Sequence, residues 1–125
     1  MNEPSVFSGD ELTMPKNAVH VTADNTRYLH KDLHNAYGTL MARATHQGIM
    51  NREPKLRPFM LSRAVFFGSQ KYGAMWTGDN QASIRFMTLS TQMCLSMAIS
   101  GIPICGSDVG GFTGTPPQKL LSKWY

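Results

Sequence analysis

Apolar positions change their period several times along this chain, and each change marks an element. Residues 1–28, rich in Pro, Asn, Ser, Thr and Asp, hold no sustained period and predict an extended loop. From Leu29, apolar side chains at Leu33, Tyr37, Leu40, Met41 and Ala44 recur at steps of three and four, which predicts an amphipathic helix to about Ile49. Gly38 inside that helix costs about 1 kcal/mol against Ala unless close packing demands it. The polar stretch Asn51–Arg57, with Pro54 as a stop signal, ends the helix.

Pro58–Leu61 is a short continuous apolar run, the pattern of a strand covered on both faces. A glycine-punctuated segment from Phe66 to Gly73 leads into a second strand ending at Trp76. Phe86, Leu89, Met93 and Met97 then mark a helix from about Ala82 to Ser100, stopped by Gly101. Ile102–Cys105 predicts a third strand, Ser107–Pro117 a Gly/Pro-rich loop, and Gln118 the start of another helix. This alternation argues for α/β architecture with parallel strands. Three strands cannot close a barrel, which needs eight.

Charge sharpens the picture. Residues 1–53 carry six acids and five bases, whereas residues 54–125 carry seven bases and only two acids, Asp79 and Asp108. Both acids follow apolar runs and both lie beside glycine. With Arg63, they stand just past the predicted C-terminal ends of three strands, where barrels and open α/β sheets place their chemistry. A buried strand-end carboxylate keeps its charge only if paired, hydrogen-bonded or open to a cleft. From spacing alone, Asp79 is equally a working acid or a strand-end turn residue.

Charged residues make up 16% of the chain, below the ~25% of typical soluble domains, so part of its surface is designed for contact with something other than water. The net charge of +4 is scattered, without a basic run or nucleic-acid motif. No apolar run approaches the roughly 20 residues of a membrane span. Cys94 and Cys105 fit neither a zinc site nor a Cys-x-x-Cys pair, leaving a disulfide across the helix–strand return or two buried thiols. His30 and His34 share a helix face at i, i+4, but no third ligand fits a zinc pattern, so His34 reads as a structural hydrogen-bonding residue. Neither a metal nor a cofactor is expected.

Six blocks, in order, carry a resemblance. They are Met1–Phe7, His34-Asn35 with Tyr37-Gly38, Leu61–Ala64, Gly68-Ser69-Gln70, Trp76–Asn80 and Gly106–Phe112. Together they resemble glycoside hydrolase family 31, and they cover almost the whole chain. The opening through Met14-Pro15-Lys16 and Ala18-Val19-His20 is most similar to members that trim glucose from N-linked glycans in the endoplasmic reticulum. The resemblance implies a fragment of the catalytic (β/α)8 barrel, running from after strand four through strand seven into the next helix. It also implies an α-glucoside or N-linked glycan substrate, the endoplasmic-reticulum lumen, the remainder of the same catalytic domain as a partner, and a non-catalytic β-subunit as a further one.

The family cleaves α-glycosidic bonds with retention, which needs a nucleophile and an acid/base about 5–5.5 Å apart. The resemblance assigns the acid/base to Asp79, whose role requires it to hold a proton near neutral pH. The nucleophilic aspartate is expected immediately before Met1, which makes Met1 an internal residue of the motif. Glu3 is expected to tune the nucleophile's charge, Arg63 to contact sugar and carboxylates, Trp76 and Phe112 to form walls of the sugar subsite, and Asp108 to order the site. The bland alternatives are a loop salt bridge for Arg63 and plain core packing for the two aromatics. After Asn80 the family continues with Thr-Ala, then a Trp and an acid, whereas this chain has Gln81-Ala82-Ser83-Ile84-Arg85. A non-catalytic carbohydrate-binding or regulatory fragment is the alternative function. A phosphate site on Gly110-Gly111 lacks the glycine pattern such sites need.

Overall fold

The computed structural model describes residues 2, 3, 8 and 14–125. Met1, Pro4, Ser5, Val6 and Phe7 of the first block lie outside them, as does much of the segment expected to be an extended loop. Within the described part of that segment the expectation needs correction. Strands β1 (Val19–Val21) and β2 (Arg27–Leu29) form an antiparallel hairpin, with His20 opposite Tyr28. Three-residue strands are too short to show a period, but Asp24-Asn25 between them is a turn signal. Asn25 takes a positive φ of 63°, which Asn tolerates better than most residues. Hydrogen bonds from Thr22 and Thr26 hold the Asp24 carboxyl below its usual pKa.

Helix α1 (His30–Arg52) follows directly. It has no side-chain N-cap, and its first free amides are met by the hairpin's flank instead: His30 N–H donates to Ala18 O at 2.8 Å and Lys31 N–H to Lys16 O at 3.0 Å. The helix outruns the expected Ile49 end because polar Asn51 and Arg52 are compatible with a last turn, and only Pro54 is not. Its buried residues are His30, Gly38 and Ala42, whereas Leu40 is 40% exposed. Close approach selected that face. A Cβ on Gly38 would lie 2.4 Å from Ala64 Cβ, so the glycine lets α1 press against the turn that carries Arg63.

Strands β3 (Leu61–Ser62), β4 (Ala74–Trp76) and β5 (Cys105–Gly106) form a parallel sheet in chain order. Asn2 extends it by one parallel bridge to Ser62 on the outer edge of β3, with Asn2 N–H donating to Leu61 O and Arg63 N–H to Asn2 O. Four neighbouring parallel positions thus follow one another in sequence. The β4 strand is buried throughout, as its unbroken apolar run required. Pairing on either side of it begins later than the runs Pro58–Leu61 and Ile102–Cys105 suggested. Met60 and Ile102 are buried but Phe59 and Ile104 are exposed, so these runs are not covered on both faces, and the ladder is limited to what the three residues of β4 can reach.

Helix α2 (Ile84–Ile99) connects β4 to β5, with Ser83 as N-cap accepting from Phe86 N–H. Gly101 ends it in a left-handed conformation. A disulfide joins Cys94 of α2 to Cys105 of β5, with their Cα atoms 5.3 Å apart. Helix α3 (Gln118–Trp124) buries Leu120. No helix among the described residues is long and apolar enough to cross a membrane.

Candidate active site

The charged residues singled out by sequence converge on one end of the parallel sheet. Glu3 follows the Asn2 bridge, Arg63 follows β3, Asp79 lies three residues beyond β4 and Asp108 two beyond β5. Because the strands are parallel and neighbouring, residues at their C-terminal ends face a common space.

Arg63 is the hub. Its Nη1 donates to the Glu3 carboxylate, and its Nη2 lies 3.5 Å from Asp79 Oδ2. Its guanidinium carbon also stands 5.9 Å from the centre of the Trp76 ring, within cation–π range. A planar fork suits this position because separate nitrogens can serve two carboxylates at once. Gly78 makes the approach possible. It holds φ at 85°, and a Cβ there would meet Arg63 Nη2 at 3.0 Å. The Arg63 and Asp79 side chains are 26% and 40% exposed, so this rim faces water and its ion pairs are screened.

Trp76 is buried, and with Asp108 it lines a cavity of about 310 Å³ whose other walls include Phe59, Leu61 and Ile104. That volume lies at the small end of ligand sites, about 300–1,000 Å³. Asp108 makes its hydrogen bond through its backbone carbonyl, which accepts from Gly111 N–H at 2.9 Å, rather than through the carboxylate. Phe112 is 64% exposed and is tied to the site through its backbone, its N–H donating to Asn80 O at 2.8 Å.

The histidines form a separate group. His20 Nε2 and His30 Nδ1 share a hydrogen bond at 2.9 Å, and His30 Nε2 and His34 Nδ1 share another at 3.0 Å. This chain of imidazoles fastens the hairpin to α1, in keeping with a structural His34. Among the described residues, no group of three or more His, Cys, Asp or Glu side chains is placed to hold a metal ion.

Two residues of the site region escaped sequence reasoning, Asn80 and Ser90. Asn80 is 8% exposed and Ser90 only 2%. Ser90 stands in the polar run Ser90-Thr91-Gln92 between Leu89 and Met93, so nothing in the sequence set it apart.

The resemblance to a glycosidase family agrees with comparison to known proteins. The family described as the glycosyl hydrolases family 31 TIM-barrel domain matches residues 1–125. The chain belongs to this family. It is 52% identical to neutral alpha-glucosidase C of Mus musculus, with the whole chain aligned to 14% of that protein. It is 49% identical to a probable glucan 1,3-alpha-glucosidase of Arabidopsis thaliana, again with the whole chain aligned, to 13% of the relative. A crystal structure of the glucosidase II alpha subunit with Tris bound superposes at a TM-score of 0.87 and 49% identity, covering the whole chain and 13% of the solved one. Another is a heterodimeric complex of ER glucosidase II, formed by the catalytic subunit and the binding domain of the regulatory subunit, with the same identity and TM-score. The chain therefore spans about an eighth of the length of these relatives, and its fold is a segment of a (β/α)8 barrel.

Proposed function

We propose that this family 31 segment is the acid/base half of the active site of a retaining α-glucosidase. On this reading residues 1–125 belong to the catalytic barrel domain, from the end of strand four through strand seven into the next helix. Asp79 protonates the departing glycosidic oxygen and later deprotonates the water that releases the sugar. The nucleophile is the aspartate expected immediately before Met1. The single observation that carries this is Arg63 held between Glu3 and Asp79 at the ends of adjacent parallel positions.

The chemistry follows from that arrangement. A retaining enzyme attacks the anomeric carbon from one side while an acid on the other protonates the leaving oxygen, and the glycosyl-enzyme is then hydrolysed with the acid acting as base. Glu3, three residues beyond the expected nucleophile, and Arg63 set the charge balance between the two carboxylates. Trp76 and Phe112 offer flat apolar surfaces for a pyranose face, and Asp108 lines the cavity beside Trp76. The substrate is an α-glucoside, and the likeness to glucosidase II points to an N-linked glycan in the endoplasmic-reticulum lumen, with a non-catalytic β-subunit as partner. A Cys94–Cys105 disulfide accords with an oxidising compartment.

The test is the stereochemistry of the full-length protein acting on an aryl α-glucoside, followed by NMR before the product mutarotates. Release of α-glucose is expected, whereas first-formed β-glucose, or no cleavage of any α-glucoside, overturns the reading.

A further inference from the structure

A buried polar network lies directly behind Asp79. The Asn80 side-chain amide donates to Ser90 Oγ at 2.7 Å and to Thr77 Oγ1. Ser90 in turn donates to Phe86 O at 2.8 Å, one turn back in α2, so its hydroxyl gives to the helix and receives from the loop. Thr77 is fixed from the other side, its N–H donating to Gly106 O of β5 at 3.0 Å. The Asn80 carbonyl accepts from both Phe112 N–H and Thr113 N–H, at 2.8 and 3.2 Å, and Ala82 N–H returns a bond to Thr113 O. One residue therefore ties the loop that bears Asp79 to α2 behind it and to the loop that bears Phe112 beside it.

We infer that Asn80 and Ser90 are a positioning pair that sets where the Asp79 carboxyl stands relative to the leaving-group oxygen. The inference rests on the acid/base reading of Asp79. Its physical basis is that Asp79 sits between Gly78, whose positive φ gives the backbone freedom, and Asn80, whose side chain is buried and bonded at both hydrogens. On that side of the acid the amide is the side-chain anchor to α2, beside the backbone bonds that Asn80 O accepts from Phe112 and Thr113. Removing the Ser90 hydroxyl leaves a buried donor without one acceptor, and the loop must shift to recover water or another partner. Proton transfer is sensitive to such shifts, since misplacement by about 1 Å can cost about 100-fold.

The experiment compares kcat/KM of the full-length protein on two aryl α-glucosides. Dinitrophenyl α-glucoside has a leaving group that departs without a proton, whereas phenyl α-glucoside requires one. The ratio of the two values does not depend on how much enzyme is folded. Ser90→Ala is expected to lower the phenyl value about tenfold more than the dinitrophenyl value. Thr77→Val removes the other acceptor at nearly constant shape and is expected to move the ratio the same way, which gives a second reading if Ser90→Ala folds poorly. Ser90→Thr, which keeps a hydroxyl, is expected to restore the ratio. Equal losses on both substrates, or none, in Ser90→Ala and Thr77→Val would show a purely structural network and overturn the inference. Asp79→Ala is run alongside. If it leaves the ratio unchanged, the acid/base assignment has failed; if it collapses the ratio while the Ser90 and Thr77 variants do not, only the positioning role has.

Discussion

The rim of the sheet and the faces of its helices are built to opposite standards. At the rim, Arg63, Asp79, Asn80 and Phe112 are joined by ion pairs and hydrogen bonds supplied within the segment itself. Along α2, Leu89 is 43% exposed, Leu95 61% and Ile99 90%. Large apolar side chains at such exposure are surfaces awaiting a cover, and the low share of charged residues is the same fact read from composition. The contrast teaches that the polar geometry of the rim is made by contacts inside the segment, while its helix presents apolar side chains to neighbouring parts of a barrel. In an eight-stranded barrel every strand and helix packs against neighbours on both sides, so a piece that keeps its rim must leave its flanks open.

That contrast can be broken in several ways. The largest effect is expected from the segment alone. Purified residues 1–125 should show no α-glucosidase turnover although Asp79 and Arg63 are present, because the expected nucleophile and most of the barrel are missing. Measured hydrolysis by this piece would mean that its flanks need no cover. Next comes the covalent tie between helix and sheet. Cys94→Ser with Cys105→Ser in the full-length protein should destabilise the sector by about 3 kcal/mol, the value for a loop closed across 11 positions, read as a lower thermal unfolding midpoint. An unchanged midpoint would place the stabilisation of α2 entirely in its packing.

Arg63 probes the rim itself. Replacing it by Ala removes the hydrogen bond to Glu3 and the ion pair to Asp79 that orient the rim, so kcat/KM should fall roughly 10- to 100-fold with little change in unfolding midpoint. Arg63→Lys should recover little of this, since a single ammonium cannot serve Glu3 and Asp79 as a fork does. Full recovery by Lys would reduce the site to a matter of net charge.

Much of the rim was legible in the sequence because it consists of rare signals. Asp79 and Asp108 are isolated acids in a basic half of the chain, and each follows a short apolar run that leads into a strand. The helix–strand order was legible for the same reason, since long periods of three and four are hard to mistake. What stayed hidden depends on contacts between distant positions. The face of α1 is set by Gly38 meeting Ala64, a matter of space rather than hydrophobicity, so Leu40 was misplaced and Ala42 missed. The β1–β2 hairpin is too short for periodicity and exists because its flank caps α1. The Asn80–Ser90 bond joins a loop to a helix interior, and neither residue type announces a partner.

The central claim is that Asp79 supplies and removes the proton in a double displacement. Asp79→Ala in the full-length protein isolates it, assayed on dinitrophenyl α-glucoside with and without azide. Azide needs no general base, so it can attack a glycosyl-enzyme that water attacks only slowly. The prediction is a loss of about 10²–10⁴-fold without azide, followed by recovery in azide with α-glucosyl azide as product. Unimpaired hydrolysis without azide, or a β-configured azide product, would contradict it.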